Sequence, residues 1–335
     1  MSGKRWAALG IASVLFVASV LINVLSASAY KGVETNFSRF MDDDSFTEEV
    51  VKEGNDFKKI ALLDVDGVIQ DTGDSAGSLL QATGYNHQDF LKKLNHIKED
   101  DTIKGIIIRV NSPGGGVVES AEIHAKLAKI QKDTKKPVYI SMGSMAASGG
   151  YYISTAAKKI YASPETLTGS LGVIMEGINY KGLADKYGVN FVTVKSGKYK
   201  DIMSPTREMT DEERQILQRM IDNSYEGFVK VISDGRHMST ADVKKIADGR
   251  IYDGRQALEL KLIDGFGYLD DVINEMKKNE KLKGAKVIRY TDNLGFGSLF
   301  KNQAKQWLGD QAETAGLMKI LSKPNSPRLM YLYAE

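Results

Sequence analysis

The chain contains no cysteine and only four histidines, His87, His96, His124 and His237, among its 335 residues. The missing cysteine excludes a disulfide scaffold, a thiol nucleophile and any thiolate metal site. It also suits a chain exposed to an oxidising exterior. No two histidines have metal-ligand spacing on a helix, so there is no metal-site signal. Strong charge of either sign is absent too. The formal net charge is +2, so nothing predicts general affinity for nucleic acid. With 42% hydrophobic and 26% charged residues the composition is that of an ordinary globular protein, long enough for one large domain or two small ones.

The longest uncharged stretch is at the start. Lys4 and Arg5 precede an apolar segment over residues 6–27. About 20 apolar residues in a helix cross a hydrocarbon core. The basic pair predicts that the short N-terminus, residues 1–5, stays in the cytoplasm and the remainder lies outside. The expectation is a single-pass protein of the cell membrane with an extracytoplasmic catalytic domain. A cleaved signal peptide is the rival, because Ala27-Ser28-Ala29 has the form of a cleavage site. Residues 28–58, with Asp42-Asp43-Asp44, read as a polar linker.

From residue 59 to 290 the pattern is globular. Apolar, β-branched runs at 60–69, 106–110 and 137–142 read as buried parallel strands. Helical patterns at 88–99 and 117–132 lie between them. This alternation predicts an α/β layer fold. Residues 159–162 and 191–194 read as further strands and 286–290 as a last one. Thr210 with Glu213 three residues on is a capping box, which predicts a helix over 210–236. Shorter helices are expected at 240–247, 253–260 and 268–278. Residues 291–335 form a tail ending in the apolar Met330-Tyr331-Leu332-Tyr333-Ala334. Such a segment is a candidate for strand addition, with a regulatory role in a substrate groove as one expectation.

Three segments can carry chemistry. Asn111-Ser112-Pro113-Gly114-Gly115-Gly116 follows a predicted strand and precedes a helix. Its N–H groups suit an anion, as a phosphate loop or an oxyanion hole, or it is a plain glycine turn. It lacks the Walker ending and the dinucleotide spacing. Ser148 lies in Met145-Ala146-Ala147-Ser148-Gly149-Gly150-Tyr151 at a strand-to-helix junction. That is the place of a nucleophile elbow and equally of an ordinary helix cap. A serine nucleophile needs a base. No histidine lies between His124 and His237, whereas Lys195, Lys198 and Lys200 follow the 191–194 run. A desolvated lysine can accept a proton. Spacing does not choose among the three.

These segments, with Leu167-Thr168-Gly169-Ser170-Leu171-Gly172 and Ser196-Gly197-Lys198-Tyr199-Lys200-Asp201, occur in an order that resembles the signal peptide peptidase A family, in its short, membrane-anchored bacterial form. The resemblance covers about residues 60–290. It implies the Clp protease and crotonase fold of stacked ββα units. It implies a serine endopeptidase acting through an acyl-enzyme, with Ser148 as nucleophile, Lys200 as general base and Ser170 orienting the lysine. Gly115 and Gly149 would form the oxyanion hole, with Gly114 as the near alternative. It further implies a homo-oligomeric ring, expected to be an octamer, with each site shared between adjacent subunits. The implied substrates are remnant signal peptides and other unfolded peptides. A crotonase-type thioester enzyme, a catalytically silent scaffold and a histidine-dependent Clp-like protease are the rival readings. The serine, the lysines and the histidine-free interval argue against them in turn.

Overall fold

The computed structural model describes residues 46–71, 85–292 and 329–333. The elements follow in the order β1 (Phe46–Lys52), β2 (Asn55–Asp66), α1 (His87–Glu99), β3 (Ile103–Ser112), β4 (Gly114–Gly116), α2 (Val117–Thr134) and β5 (Val138–Ala147). Then come α3 (Gly149–Ser154), β6 (Lys159–Ala162), β7 (Leu167–Gly169), α4 (Lys181–Lys186), α5 (Asp211–Arg236), α6 (Thr240–Ile246) and β8 (Ile251–Tyr252). The last are α7 (Gly254–Glu259), β9 (Gly265–Phe266), α8 (Leu269–Asn279), β10 (Ala285–Asp292) and β11 (Met330–Leu332).

Among these residues a nine-stranded sheet runs β1-β10-β2-β3-β5-β6-β9, with β7 paired to β5 and to β8. β10, β2, β3, β5 and β6 are mutually parallel along that order. Parallel strands need crossovers, and α1 and α2 supply them. A parallel sheet is covered on both faces, which is why its strands are continuously apolar. One face carries Ile60, Leu62, Ile107 and Tyr139, packed under Val272, Ile273 and Met276 of α8. The alternate residues Ala61, Leu63, Ile106, Ile108 and Ile140 are equally buried on the other face. Each such side chain contributes about 1.5–3 kcal/mol on removal from water. Lys136 adds a polar fixture. Its buried ammonium donates to the carbonyls of Ile97 (2.6 Å), Lys98 (3.2 Å) and Asp100 (2.8 Å), closing the C-terminus of α1.

Two expectations change here. Residues 46–52, read as linker, form β1 of the sheet. Residues 191–194, read as a strand, are not one. Val192 and Val194 are 91% and 96% exposed, and among the described residues no strand pairs with them. The apolar segment 6–27 lies outside the described residues. Among those described, no helix is long and apolar enough to cross a membrane.

Candidate active site

The carboxyl ends of three parallel strands deliver the candidate residues to one place. β3 leads into the glycine strand β4, β5 leads into Ser148, and β7 leads into Ser170. The register pairs Ser112 with Ala146 and Ala147 with Gly169. Ser148 and Ser170 each stand one residue beyond that last pair. The Ser148 N–H donates to the Gly169 carbonyl (2.8 Å), and the Ser170 N–H donates to that of Arg250 (2.7 Å).

Ser148 is held in a conformation that L residues rarely adopt, φ +51° and ψ −113°. Such strain concentrates at sites where surrounding structure enforces it. Its carbonyl accepts the Tyr152 N–H (2.8 Å), the first turn of α3. The hydroxyl is 1% exposed at the residue level and has no hydrogen-bond partner among the described residues. A helix cap would bond its own helix; this serine does not.

The glycines beside it are sterically required. A Cβ at Gly114 would fall 2.6 Å from the Gly149 nitrogen, and one at Gly149 would fall 3.0 Å from the Gly115 nitrogen. The two backbones therefore touch, with the N–H-bearing atoms of Gly115 and Gly149 close together. The other amides of the glycine strand are occupied. Gly114 donates to Ser112 Oγ (3.0 Å), and Gly116 donates to the Ile69 carbonyl (2.7 Å). Asn111 braces the approach to Ser148: its Oδ1 accepts the Met145 N–H (3.3 Å), while its Nδ2 donates to Asp66 Oδ1 (2.9 Å).

The tail lies across this ground. β11 pairs antiparallel with β4, setting Met330 opposite Gly116, Tyr331 opposite Gly115 and Leu332 opposite Gly114. Its other edge exchanges two 3.0 Å bonds between Met330 and Ile174, and the Tyr333 N–H donates to the Pro113 carbonyl (2.9 Å). The Tyr331 carbonyl presses on the glycine strand, 2.0 Å from where a Gly114 Cβ would stand. The Tyr331 ring is 2% exposed, stacks on Tyr152 (4.9 Å), packs on Phe228 (4.6 Å) and donates its hydroxyl to the Ser224 carbonyl (3.1 Å). Burial pushes that phenol well above the usual range. Next to it, Ser170, Tyr225, Asp248, Leu332 and Tyr333 are among the residues lining a cavity of about 460 Å³. Sequence reasoning missed the pocket formed by Tyr152 and Phe228. Tyr152 is four residues past Ser148 and was within reach, but nothing local marks Phe228, which comes from α5.

The three candidate lysines separate cleanly. Lys195 Nζ donates to Asp201 Oδ1 (2.5 Å) and to the Lys198 carbonyl (3.0 Å). Lys198 is paired with Glu212, which together with Tyr199 raises its pKa and holds it as ammonium. Lys200 is exposed, and its amine has no partner among the described residues. Within one chain it is not bonded to Ser148 Oγ, which has no partner. His87 is bonded between Tyr85 (2.6 Å) and Glu122 (3.1 Å), and His124 lies edge-on to Tyr152. Glu48, His96 and Asp100 bring possible metal-ligand atoms within 4.8 Å of one another, but Lys59 bonds both Glu48 oxygens.

Comparison with known proteins accords with this geometry. The pattern of peptidase family S49 matches residues 130–283, and that of the Clp protease family matches residues 80–168. The large mixed α/β sheet is consistent with a Clp protease-like fold. A candidate signal peptide peptidase SppA of Enterococcus faecium is 43% identical over 99% of both chains. Protease 4 of Haemophilus influenzae is 31% identical over 92% of this chain and 52% of its own length. The chloroplastic serine protease SPPA of Arabidopsis thaliana is 32% identical over 58% of this chain and 29% of its own. The chain belongs to the signal peptide peptidase A family, within peptidase family S49, and is a serine protease.

Proposed function

We propose that the chain is a membrane-anchored endopeptidase that hydrolyses remnant signal peptides and other unfolded peptides through a Ser148–Lys200 dyad. The observation that carries this is the tail strand: an extended peptide of the chain itself lies on β4 with a backbone carbonyl against the Gly114–Gly149 contact. A substrate would add as a strand in the same way, its backbone read by β4 and its side chains by the Tyr152–Phe228 pocket.

The neutral amine of Lys200 removes the Ser148 proton as Oγ attacks the scissile carbonyl carbon. The carbonyl π electrons move to oxygen, where the Gly115 and Gly149 N–H groups stabilise the charge. Collapse breaks the C–N bond, and the lysine ammonium returns its proton to the departing amine. Water then attacks the acyl-enzyme by the reverse sequence, with Lys200 again as base. Ser170 orients the amine. Lys195 and Lys198 are each engaged by a carboxylate, whereas Lys200 is not. A lysine serves as a base where burial withdraws its amine from water, so Lys200, exposed in the single chain, requires a covering partner. A neighbouring copy provides one, in a homo-oligomeric ring whose sites are shared between adjacent subunits; an octamer is the expected size. The anchor at residues 6–27 sets the catalytic domain outside the cytoplasm, beside the bilayer where severed signal peptides remain. The C-terminal tail acts there as an occupant of the groove that limits turnover until it is displaced or trimmed.

Ser148→Ala and Lys200→Ala test the dyad. Each is expected to abolish cleavage of a fluorogenic peptide while assembly survives. Normal turnover by either would overturn it.

A further inference from the structure

The segment that bears Lys200 has little to hold it in shape. Residues 191–200 are exposed, and between α4 and α5 no strand or helix fixes the chain. Apolar burial therefore does not position the lysine. Polar contacts to the start of α5 do: Glu212 takes Lys198 and Tyr199, and Arg207 joins Asp201, the residue after the lysine, to Glu213.

Arg207 uses all three guanidinium nitrogens on two carboxylates at once. Nε donates to Asp201 Oδ2 (2.8 Å), and Nη2 donates to Asp201 Oδ1 (2.8 Å) and the Asp201 carbonyl (3.0 Å). On the other side, Nη1 donates to Glu213 Oε2 (2.8 Å) and Nη2 to Glu213 Oε1 (2.5 Å). Asp201 is the residue next to Lys200. Glu213 belongs to the first turn of α5, where its carboxylate also accepts the Thr210 N–H (2.9 Å) and its N–H donates to Thr210 Oγ1 (3.2 Å). An unbroken chain of hydrogen bonds thus leads from the capped end of a 26-residue helix to the backbone of residue 201. Isolated surface ion pairs contribute little, but a bidentate pair on each side of one planar guanidinium is a geometric constraint.

The same contacts protect the lysine from its neighbour. Asp201 is satisfied by Arg207 and Lys195 together. Were it free, it could pair with Lys200 and hold that amine as ammonium, which cannot accept a proton.

We propose that Arg207 is the positioning residue of the general base: it ties the Lys200 turn to the first turn of α5 and keeps the Asp201 carboxylate away from the lysine. This rests on the reading of Lys200 as the base.

The test uses the detergent-solubilised full-length chain, a fluorogenic peptide amide, and a fluorophosphonate that labels Ser148. Arg207→Ala is expected to lower kcat at least tenfold with KM within twofold. Arg207→Lys, which keeps the charge and loses the fork, falls between it and the parent, and it serves as the reporter if Arg207→Ala does not fold. In a Lys200→Ala background, Arg207→Ala is expected to cause no further loss in the residual labelling rate of Ser148, because it acts through the lysine. Parental kcat in both Arg207 variants, with Lys200→Ala inactive, would overturn the proposal. So would an equal loss of labelling in both backgrounds, which marks a general structural role. Parental activity in Lys200→Ala removes the base reading itself, and with it this role for Arg207.

Discussion

Tyr331 stacks on Tyr152 with ring planes 21° apart, and Tyr152 stands one helical turn beyond Ser148. The pocket that takes a side chain of the tail is therefore built on the helix that begins at Ser148. A residue seated in it has its carbonyl delivered to the glycine strand.

This arrangement predicts that the tail competes with substrate. Tyr331→Ala removes the stacking on Tyr152 and Phe228 together with the bond to Ser224, a loss of about 3–5 kcal/mol for a buried aromatic. Activity on a small fluorogenic peptide is expected to rise severalfold through a lower apparent KM. Equal or lower activity contradicts the competing role.

Ser170 follows Gly169, whose carbonyl receives the Ser148 N–H, and it has a strained φ of +50°. Its backbone is fixed by the bond to Arg250, so Ser170→Ala removes the hydroxyl alone. Turnover is expected to fall about 10- to 100-fold, as for loss of a group that orients a base. The melting temperature should stay within a few degrees. Unchanged kinetics across pH would refute a role for the hydroxyl.

Arg207 holds the Glu213 carboxyl from its ordinary 4.5 down to about 2. A depressed carboxylate contributes stability in full above its unfolded pKa and loses it as pH falls through the folded one. The melting temperature is therefore expected to be flat from pH 7 to about 5 as far as this pair is concerned, and to fall between pH 4.5 and about 2. In Arg207→Ala that part of the fall is absent. A thermal scan across pH in both proteins checks it, and an identical acid slope in the two contradicts it.

Much of this was legible because the signals are local. The strand at residues 159–162 and the helix start at Thr210 were readable because a short β-like run with alternating burial and a capping box depend on near neighbours alone. The run at 191–194 has the same local character and is not a strand, because pairing depends on a partner that a short run does not reveal. β1 was hidden by its polar side chains, several of them exposed at the sheet margin. Among Lys195, Lys198 and Lys200 spacing was silent. Which amines meet Asp201 and Glu212 depends on contacts distant from the local pattern, and only the folded chain shows them.

The central claim is tested most directly by labelling the full-length protein with a fluorophosphonate and mapping the modified peptide, beside a Lys200→Ala control. The account predicts modification at Ser148 that falls to a slow residual rate in the control while both proteins remain folded and assembled. Modification at another residue, or undiminished labelling of Ser148 without Lys200, would contradict it.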